Sequence, residues 1–126
     1  MQIDIEILFE NEKIIVVNKP NNVLVYASYF ARNITDDDLV TLLKEQTELD
    51  LYPIHRLDRK TSGILLLAKE KEFVKDYQQQ FENNKVQKHY YAVVRGYCPT
   101  RGVIDTPTKN AETGKYKDAL TEYETL

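Results

Sequence analysis

The fold is decided by the stretch His55-Arg56-Leu57-Asp58-Arg59-Lys60-Thr61-Ser62-Gly63-Ile64, which is followed at once by Leu65-Leu66-Leu67-Ala68. The first part places one carboxylate, that of Asp58, among cations and turn-forming residues, and the second part is apolar. A polar, glycine-bearing loop that leads into a buried strand can hold one side chain rigidly in a cleft. We therefore expect a strand over 63–68 and a candidate functional carboxylate at Asp58.

Short apolar runs separated by polar turns surround this stretch and indicate further strands. The alternating residues 5–9 and the β-branched run 14–17 each predict a strand. Residues 18–22 are typical of a turn, after which extended structure is expected to resume over 23–26. Residues 90–94, closed by Gly96, and residues 119–125 predict two more strands.

Two helices are predicted between the strands. The first begins at Thr35, because Asp38 three residues later completes a capping-box pattern. Its apolar stripe is Leu39, Leu42 and Leu43. The second covers 72–84, and one of its faces carries the core residues Phe73, Tyr77 and Phe81. Strands with two helices among them predict an α+β fold, with a mixed, mostly antiparallel sheet flanked by helices.

The composition places the chain among globular proteins of a reducing compartment. Its 126 residues, 42% hydrophobic and 29% charged, suit a single domain or part of one. The single cysteine, Cys98, excludes an internal disulfide framework. The chain has no apolar run long enough for a membrane helix, and its first residues lack a signal-peptide pattern. We expect a cytoplasmic protein with no membrane partner.

The charge is distributed unevenly along the chain. The net charge is −3, but residues 1–52 carry 4 basic and 10 acidic side chains, whereas residues 53–117 carry 13 basic and 7 acidic ones. The motif therefore lies in a basic block, which could form a phosphate-binding surface. A solvated surface with random charge bias is an equally good interpretation of the charge alone.

Asp58 admits two interpretations. It could be a structural carboxylate that closes a turn or pairs with Arg56, Arg59 or Lys60, and from the residues alone this is the commoner case. It could also be a nucleophile or base, because neighbouring cations keep a carboxylate ionised without a metal. An extended backbone would place Arg56 and Asp58 on one face.

Other kinds of chemistry find little support in the sequence. A serine triad at Ser62 would have only His55 and His89 as bases. The two histidines and Cys98 lack metal-ligand spacing, so no metal is expected. No glycine-rich phosphate loop is present, so no nucleotide cofactor is expected. The pair Lys88 and Tyr90 suits stacking on an unpaired base, although a tyrosine packed in a core is commoner.

Three segments resemble the RluA-type pseudouridine synthases in order and spacing. The family's opening motif resembles residues 8–12 and 15–20, and its catalytic motif, H-R-L-D-x-x-T-S-G before an apolar strand, resembles residues 55–69. Its second conserved region resembles Phe81 and residues 85–96, and the tRNA pseudouridine synthase C group is most similar. In the turn that follows Pro20, the family usually has glycine at the position of Asn22, and asparagine is the next best residue for a positive φ.

The resemblance implies an RNA-modifying isomerase that needs no cofactor. Asp58 would be the catalytic aspartate, Arg56 would help to flip the uridine from the RNA, and Tyr90 would stack on the flipped base and assist proton removal from C5. Its substrate would be structured RNA, tRNA in preference to ribosomal RNA, and the full-length protein would be a monomer. Substrate contacts are expected from His55, Leu57, Arg59, Lys60, Thr61, Ser62, Gly63 and Lys88.

The resemblance also implies that residues 1–126 are the N-terminal part of a catalytic domain without an S4 domain. The family's remaining half carries a third motif whose arginine pairs with the catalytic aspartate. Two other functions therefore stay open. One is a catalytically incomplete fragment that binds RNA, and the weaker one is a cofactor-free hydrolase that uses Asp58.

Overall fold

The computed structural model describes residues 4–26, 37–109 and 113–126, and these form two compact units, Met1–Lys88 and His89–Leu126. The elements of the first unit are β1 (Glu6–Glu10), β2 (Ile14–Lys19), α1 (Leu39–Thr47), β3 (Tyr52–Pro53), β4 (Gly63–Ala68) and α2 (Lys71–Glu82). Those of the second are β5 (Arg101–Ile104), β6 (Thr108–Lys109), β7 (Tyr116–Lys117) and β8 (Thr121–Glu124).

The first unit is built on one four-stranded sheet in the order β1-β2-β4-β3, with every neighbouring pair antiparallel. Its two central strands, β2 and β4, pair over their whole length, from Ile14 opposite Ala68 to Lys19 opposite Gly63. A register shift between Ile7 and Phe9 inserts a bulge into β1. The motif loop therefore joins β3 to β4 and lies beside the end of β2.

Each face of this sheet packs against one helix, as the alternation of strand side chains requires. On one face, Ile15 and Val17 of β2 and Leu65 and Leu67 of β4 form a core with the α1 leucines. The α1 residues in that core are Leu39 and Leu43, with Leu42 partly buried beside them. On the other face, Phe73, Tyr77 and Phe81 of α2 pack against Ile14, Ile54 and Ala68. The predicted helix faces are confirmed.

The beginning of α1 differs from the prediction. Asp38 is the N-cap, with an extended backbone at φ −81° and ψ 170°, and its Oδ1 accepts a hydrogen bond from the Thr41 amide at 2.8 Å. An extended residue cannot lie inside a helix, so the helix does not run through Asp38 from Thr35. Thr35 itself lies outside the described residues. The capping-box pattern places Asp38 third in the helix, whereas the structure places it at the N-cap.

Residues 23–26, for which extended structure is predicted, do not pair with any strand of the described sheets. Val23 and Val25 are buried in the core, but the neighbouring carbonyls are engaged by the helix. The Leu24 oxygen accepts a hydrogen bond from the Leu39 amide, and the Val25 oxygen accepts one from the Val40 amide. These bonds satisfy two amides that a helix N-terminus leaves without an intrahelical partner.

The second unit consists of two short antiparallel pairs. β5 pairs with β8 from Arg101 opposite Glu124 to Ile104 opposite Thr121, and β6 pairs with β7. The final strand predicted over 119–125 is thereby confirmed. The strand predicted over 90–94 is wrong, because a strand needs a hydrogen-bonded neighbour and no described segment pairs with these residues.

Taken by class, the protein has the predicted α+β fold, with antiparallel sheets and helices on both faces of the larger one. The longest helix in the described ranges is α2, which has 12 residues, and neither helix there is long and apolar enough to cross a membrane.

The two faces of β4 give a direct test of this packing. Leu65 is 0% exposed in the core, whereas its neighbour Ile64 is 62% exposed. We expect Leu65→Ala to lower the free energy of unfolding by about 2–5 kcal/mol, because it opens a cavity in the core. Ile64→Ala, the matched control, should change it by about 0.5 kcal/mol or less. Urea denaturation of the two variants checks this, and equal effects would contradict the assigned faces.

Candidate active site

The site is a tight turn that projects Asp58 from the end of the sheet. The Thr61 amide donates to the Asp58 carbonyl at 3.0 Å, which closes the turn over 58–61. Gly63 then begins β4 with φ +129°, a conformation that side-chain-bearing residues rarely adopt. Leu57, directly before the turn, is buried in the main core. The main chain around Asp58 is thus fixed by a core residue before it and by a glycine after it.

A buried lysine ties this turn to the loop after β2. Lys19 is 0% exposed, and its Nζ donates to the carbonyls of Pro20 at 2.9 Å, Val23 at 2.7 Å and Arg59 at 3.1 Å. Three acceptors match the three N–H donors of an ammonium group. Burial lowers the pKa of Lys19 from its ordinary value, while the negative charge of Asp58 acts on it in the opposite direction.

The same two loops are joined by a second set of bonds, between Asn22 and Arg59. The Asn22 amide donates to the Arg59 carbonyl at 2.8 Å, and Arg59 Nε donates to the Asn22 carbonyl at 3.4 Å. Asn22 has φ +68°, as expected for the residue in place of the family's glycine. The Arg59 carbonyl, one residue after Asp58, therefore receives hydrogen bonds from both the Lys19 ammonium and the Asn22 amide.

The carboxylate of Asp58 takes no part in this bonding. Asp58 is exposed, and across the described ranges no lysine, arginine or histidine nitrogen forms a salt bridge with it. The structural pairing with Arg56, Arg59 or Lys60 that the sequence allowed is therefore not formed. Arg56 and Lys60 are exposed, and Arg59 bonds Asn22 instead. A fixed main chain thus carries a carboxylate that forms no salt bridge there, and whose charge acts on the Lys19 ammonium from a longer distance.

His55 lies on the other side of Leu57, against the sheet. Its Nε2 accepts a hydrogen bond from the Leu66 amide at 3.1 Å, and its ring stacks on Phe81 with 4.7 Å between centroids. Burial lowers the pKa of His55 from its ordinary value of 6.5, and the positive charge of Lys88 lowers it further. The structure thus favours the neutral imidazole with its proton on Nδ1.

The remaining predicted residues are distributed between the two units. Thr61 is half-buried and Ser62 is exposed, both in the motif loop, and Lys88 is exposed at the end of the first unit. Tyr90 belongs to the second unit, where it is 62% exposed and lies outside any strand. In the described parts of the chain, no group of three His, Cys, Asp or Glu side chains could hold a metal ion.

The sequence prediction missed Lys19 as a site residue. The burial of Lys19 could have been predicted from its spacing. Ile15, Val17 and Lys19 are spaced by two and therefore lie on the same face of a strand. Two buried residues on that face predict that the third is buried as well. A lysine is rarely fully buried unless it is paired, so a buried Lys19 predicts several hydrogen-bond acceptors around its ammonium group.

Comparison with known families identifies the class of protein to which this fold and this site belong. The family model described as RNA pseudouridylate synthase matches residues 13–126. The chain belongs to this family, as its three motifs predicted.

Individual relatives agree with this family. The chain is similar to tRNA pseudouridine synthase C of Pasteurella multocida, with 47% identity over 105 residues, which are 83% of this chain and 43% of the relative. In an alignment of 132 positions, which covers 97% of this chain and 55% of the relative, it is 39% identical to the Haemophilus influenzae protein of that name. The chain spans about half the length of the curated relatives that it matches.

A solved structure supports the fold. Human RNA Pseudouridylate Synthase Domain Containing 4 superposes with a TM-score of 0.71 at 26% identity, over 96% of this chain and 53% of that one. Human RNA Pseudouridylate Synthase Domain Containing 1 gives a TM-score of 0.70 at 23% identity, over 94% of this chain and 51% of that one. The predicted pseudouridine synthase fold is confirmed.

The buried ammonium can be tested by removing it. Lys19→Met should lower the free energy of unfolding by about 3 kcal/mol or more, because it leaves three carbonyls without their donor. Lys60→Met, in the same loop region but exposed, should change it by about 0.5 kcal/mol or less. Thermal and urea denaturation measure both, and a Lys19→Met protein as stable as the parent would contradict the buried hydrogen bonds.

Proposed function

We propose that this chain provides the catalytic aspartate of an RNA pseudouridine synthase, an isomerase that converts uridine to pseudouridine in structured RNA. The observation that carries the proposal is that the family match over 13–126 includes an exposed Asp58 on a fixed turn. We favour tRNA as the substrate, because the relatives at 39–47% identity are named tRNA pseudouridine synthase C. Ribosomal RNA is the alternative substrate.

The geometry around Asp58 supports a catalytic role for its side chain. Its main chain is held by the Thr61 amide, and the next carbonyl is held by Lys19 and Asn22. Its carboxylate meanwhile is exposed and makes no salt bridge within the described ranges. A structural aspartate would use its carboxylate to close the turn, and this one does not. An accessible carboxylate carried on a fixed main chain suits attack on, or proton abstraction from, a bound nucleoside.

The proposed reaction needs only groups that a protein side chain can supply. The glycosidic bond between C1′ and N1 breaks, the uracil rotates, and a bond forms between C1′ and C5. C5 then loses its proton and N1 gains one, so the product is an isomer and no oxidant or phosphate donor is consumed. Asp58 would begin the reaction, Arg56 would occupy the gap left by the flipped uridine, and Tyr90 would stack on the base and assist the C5 proton transfer.

RNA would be held through its phosphates beside this turn. Arg56 and Lys60 are exposed in the motif loop, and Lys88 is exposed at the end of the first unit. Base flipping costs a few kcal/mol, roughly, which phosphate contacts and stacking must offset. We infer that residues 13–126 belong to a catalytic domain, and that the whole protein is a cytoplasmic monomer.

A second function is an RNA-binding fragment that does not turn over by itself. The exposure of apolar side chains in the second unit favours it, because a complete domain would bury them. Tyr91 is 90% exposed and Val93 is fully exposed, and both lie in the segment that resembles the family's second conserved region.

Asp58 gives the decisive test of chemistry. Asp58→Asn should reduce pseudouridine formation in an unmodified tRNA transcript by about a thousandfold or more, because the neutral amide can neither attack nor accept a proton. Asp76→Asn, which alters an exposed acid on α2, should retain the parent activity. Pseudouridine is measured by mass spectrometry, with the full-length gene product and the 126-residue chain in parallel.

The outcomes of this assay separate the two functions. Product from both proteins supports the enzyme proposal for the chain itself. Product from the full-length protein alone supports the fragment. No Asp58-dependent product from either protein, with tRNA and ribosomal RNA transcripts, contradicts the proposed reaction.

RNA binding should depend on salt through the motif cations. We expect the affinity for tRNA to fall steeply as salt rises, and Lys60→Ala to reduce the slope of log K against log[salt] by about 1. Lys44→Ala is the control, because Lys44 lies on α1 in a salt bridge with Asp50 at 3.1 Å. Filter binding at several salt concentrations measures the slopes. An affinity that does not change with salt would argue against any RNA ligand.

A further inference from the structure

The ladder between β3 and β4 ends in an unusual way at His55. Tyr52 lies opposite Ala68 and Pro53 opposite Leu67, so Ile54 is the next residue to pair with Leu66. The Ile54 amide does donate to the Leu66 carbonyl at 3.0 Å. The Leu66 amide, however, donates to His55 Nε2 at 3.1 Å. In a regular antiparallel ladder, Ile54 and Leu66 would exchange two hydrogen bonds, and the Leu66 amide would donate to the Ile54 carbonyl. Here the imidazole replaces that carbonyl as the acceptor.

The surroundings of the His55 imidazole favour its neutral form, which this hydrogen bond requires. Its ring stacks on Phe81 of α2 at an interplanar angle of 25°. The ionisable side chains of the apolar cluster around Phe81 are the phenols of Tyr52 on β3 and Tyr77 on α2. The charged group that acts on the ring is Lys88, and a nearby cation disfavours the imidazolium. Stacking, burial and charge therefore all favour a neutral ring whose Nε2 is an acceptor.

We propose that His55 is a positioning residue, whose neutral imidazole ends the β3–β4 ladder and so sets the point where the chain leaves the sheet toward Asp58. Once the ring takes the Leu66 amide, the Ile54 carbonyl is free of the ladder and the backbone can turn away. Asp58 follows three residues later, in the turn that Lys19 and Asn22 hold from the other side. His55 would then act through the backbone and not by touching RNA, unlike the substrate contact expected from the resemblance. The catalytic consequence rests on the proposed function, whereas the positioning of the turn does not.

Two substitutions separate the acceptor from the ring. His55→Phe keeps a ring on Phe81 and removes the acceptor, whereas His55→Gln offers an amide oxygen near the position of Nε2. Amide hydrogen exchange in the 126-residue chain reports on the ladder at Leu66 and on the turn at Thr61 and Asn22. We expect His55→Phe to exchange roughly tenfold faster at all three amides, and His55→Gln to stay near the parent. His89→Gln, which removes the chain's other histidine, should match the parent.

The pH dependence of the parent protein gives a second measurement, which holds even if His55→Phe does not fold. Because the pKa of His55 is lowered in the folded state, the unfolded state binds the proton first, so stability falls as the pH drops below 6.5. The titration of the imidazole is monitored by its ring resonances. As the ring becomes protonated, the Thr61 and Asn22 amides should lose their protection together with the Leu66 amide. In His55→Gln this pH dependence should be absent.

Three results would overturn the proposal. One is loss of protection at the Leu66 amide alone in His55→Phe, with the Thr61 and Asn22 amides unchanged. The His55 hydrogen bond would then affect only its own partner. Another is unchanged protection at Leu66 in His55→Phe. The third is a ring that titrates without any change in the Thr61 amide. None of these depends on enzymatic activity, so the proposal can fail while the assignment of Asp58 stands, and the reverse.

Discussion

The geometry of the site depends on one buried ammonium group and the three carbonyl oxygens around it. Lys19 ends β2 on the face that Ile15 and Val17 bury in the core, so its side chain has no route to water. A buried charge is tolerated when it is fully hydrogen-bonded, and here the acceptors come from two separate loops. The cost of burying the lysine thus becomes a constraint that holds the loop after β2 against the Asp58 turn.

This constraint explains how the main chain that carries an exposed carboxylate is held in place. The Arg59 carbonyl receives hydrogen bonds from the Lys19 ammonium and the Asn22 amide, and the Asp58 carbonyl receives one from Thr61. Position is therefore set by the main chain, and the side chain stays available for chemistry. On the sheet side, the His55 ring takes over one ladder bond. The two contacts enclose the segment 55–59, the first part of the motif at residues 55–69.

Much of this arrangement is predictable from the sequence, and the errors have physical causes. The β-branched and leucine runs predict β2 and β4 because they form the buried centre of the sheet, where local pattern and tertiary burial agree. Asn22 at positive φ follows from a turn that needs glycine or its nearest substitute. Lys19 was missed because residue type suggested exposure while strand parity required burial. The strand over 90–94 was wrong because its pairing depends on a neighbour that no local pattern reveals.

NMR of the Lys19 ammonium in the ¹⁵N-labelled protein at neutral pH tests whether this group is buried and fully hydrogen-bonded. A buried, fully hydrogen-bonded ammonium exchanges its protons slowly, so Lys19 should give a sharp Nζ–H signal, with couplings to the carbonyls of Pro20, Val23 and Arg59. The exposed Lys60 ammonium, in the same sample, should be broadened by exchange with water. A Lys19 signal as broad as that of Lys60, or one without those couplings, would contradict the account.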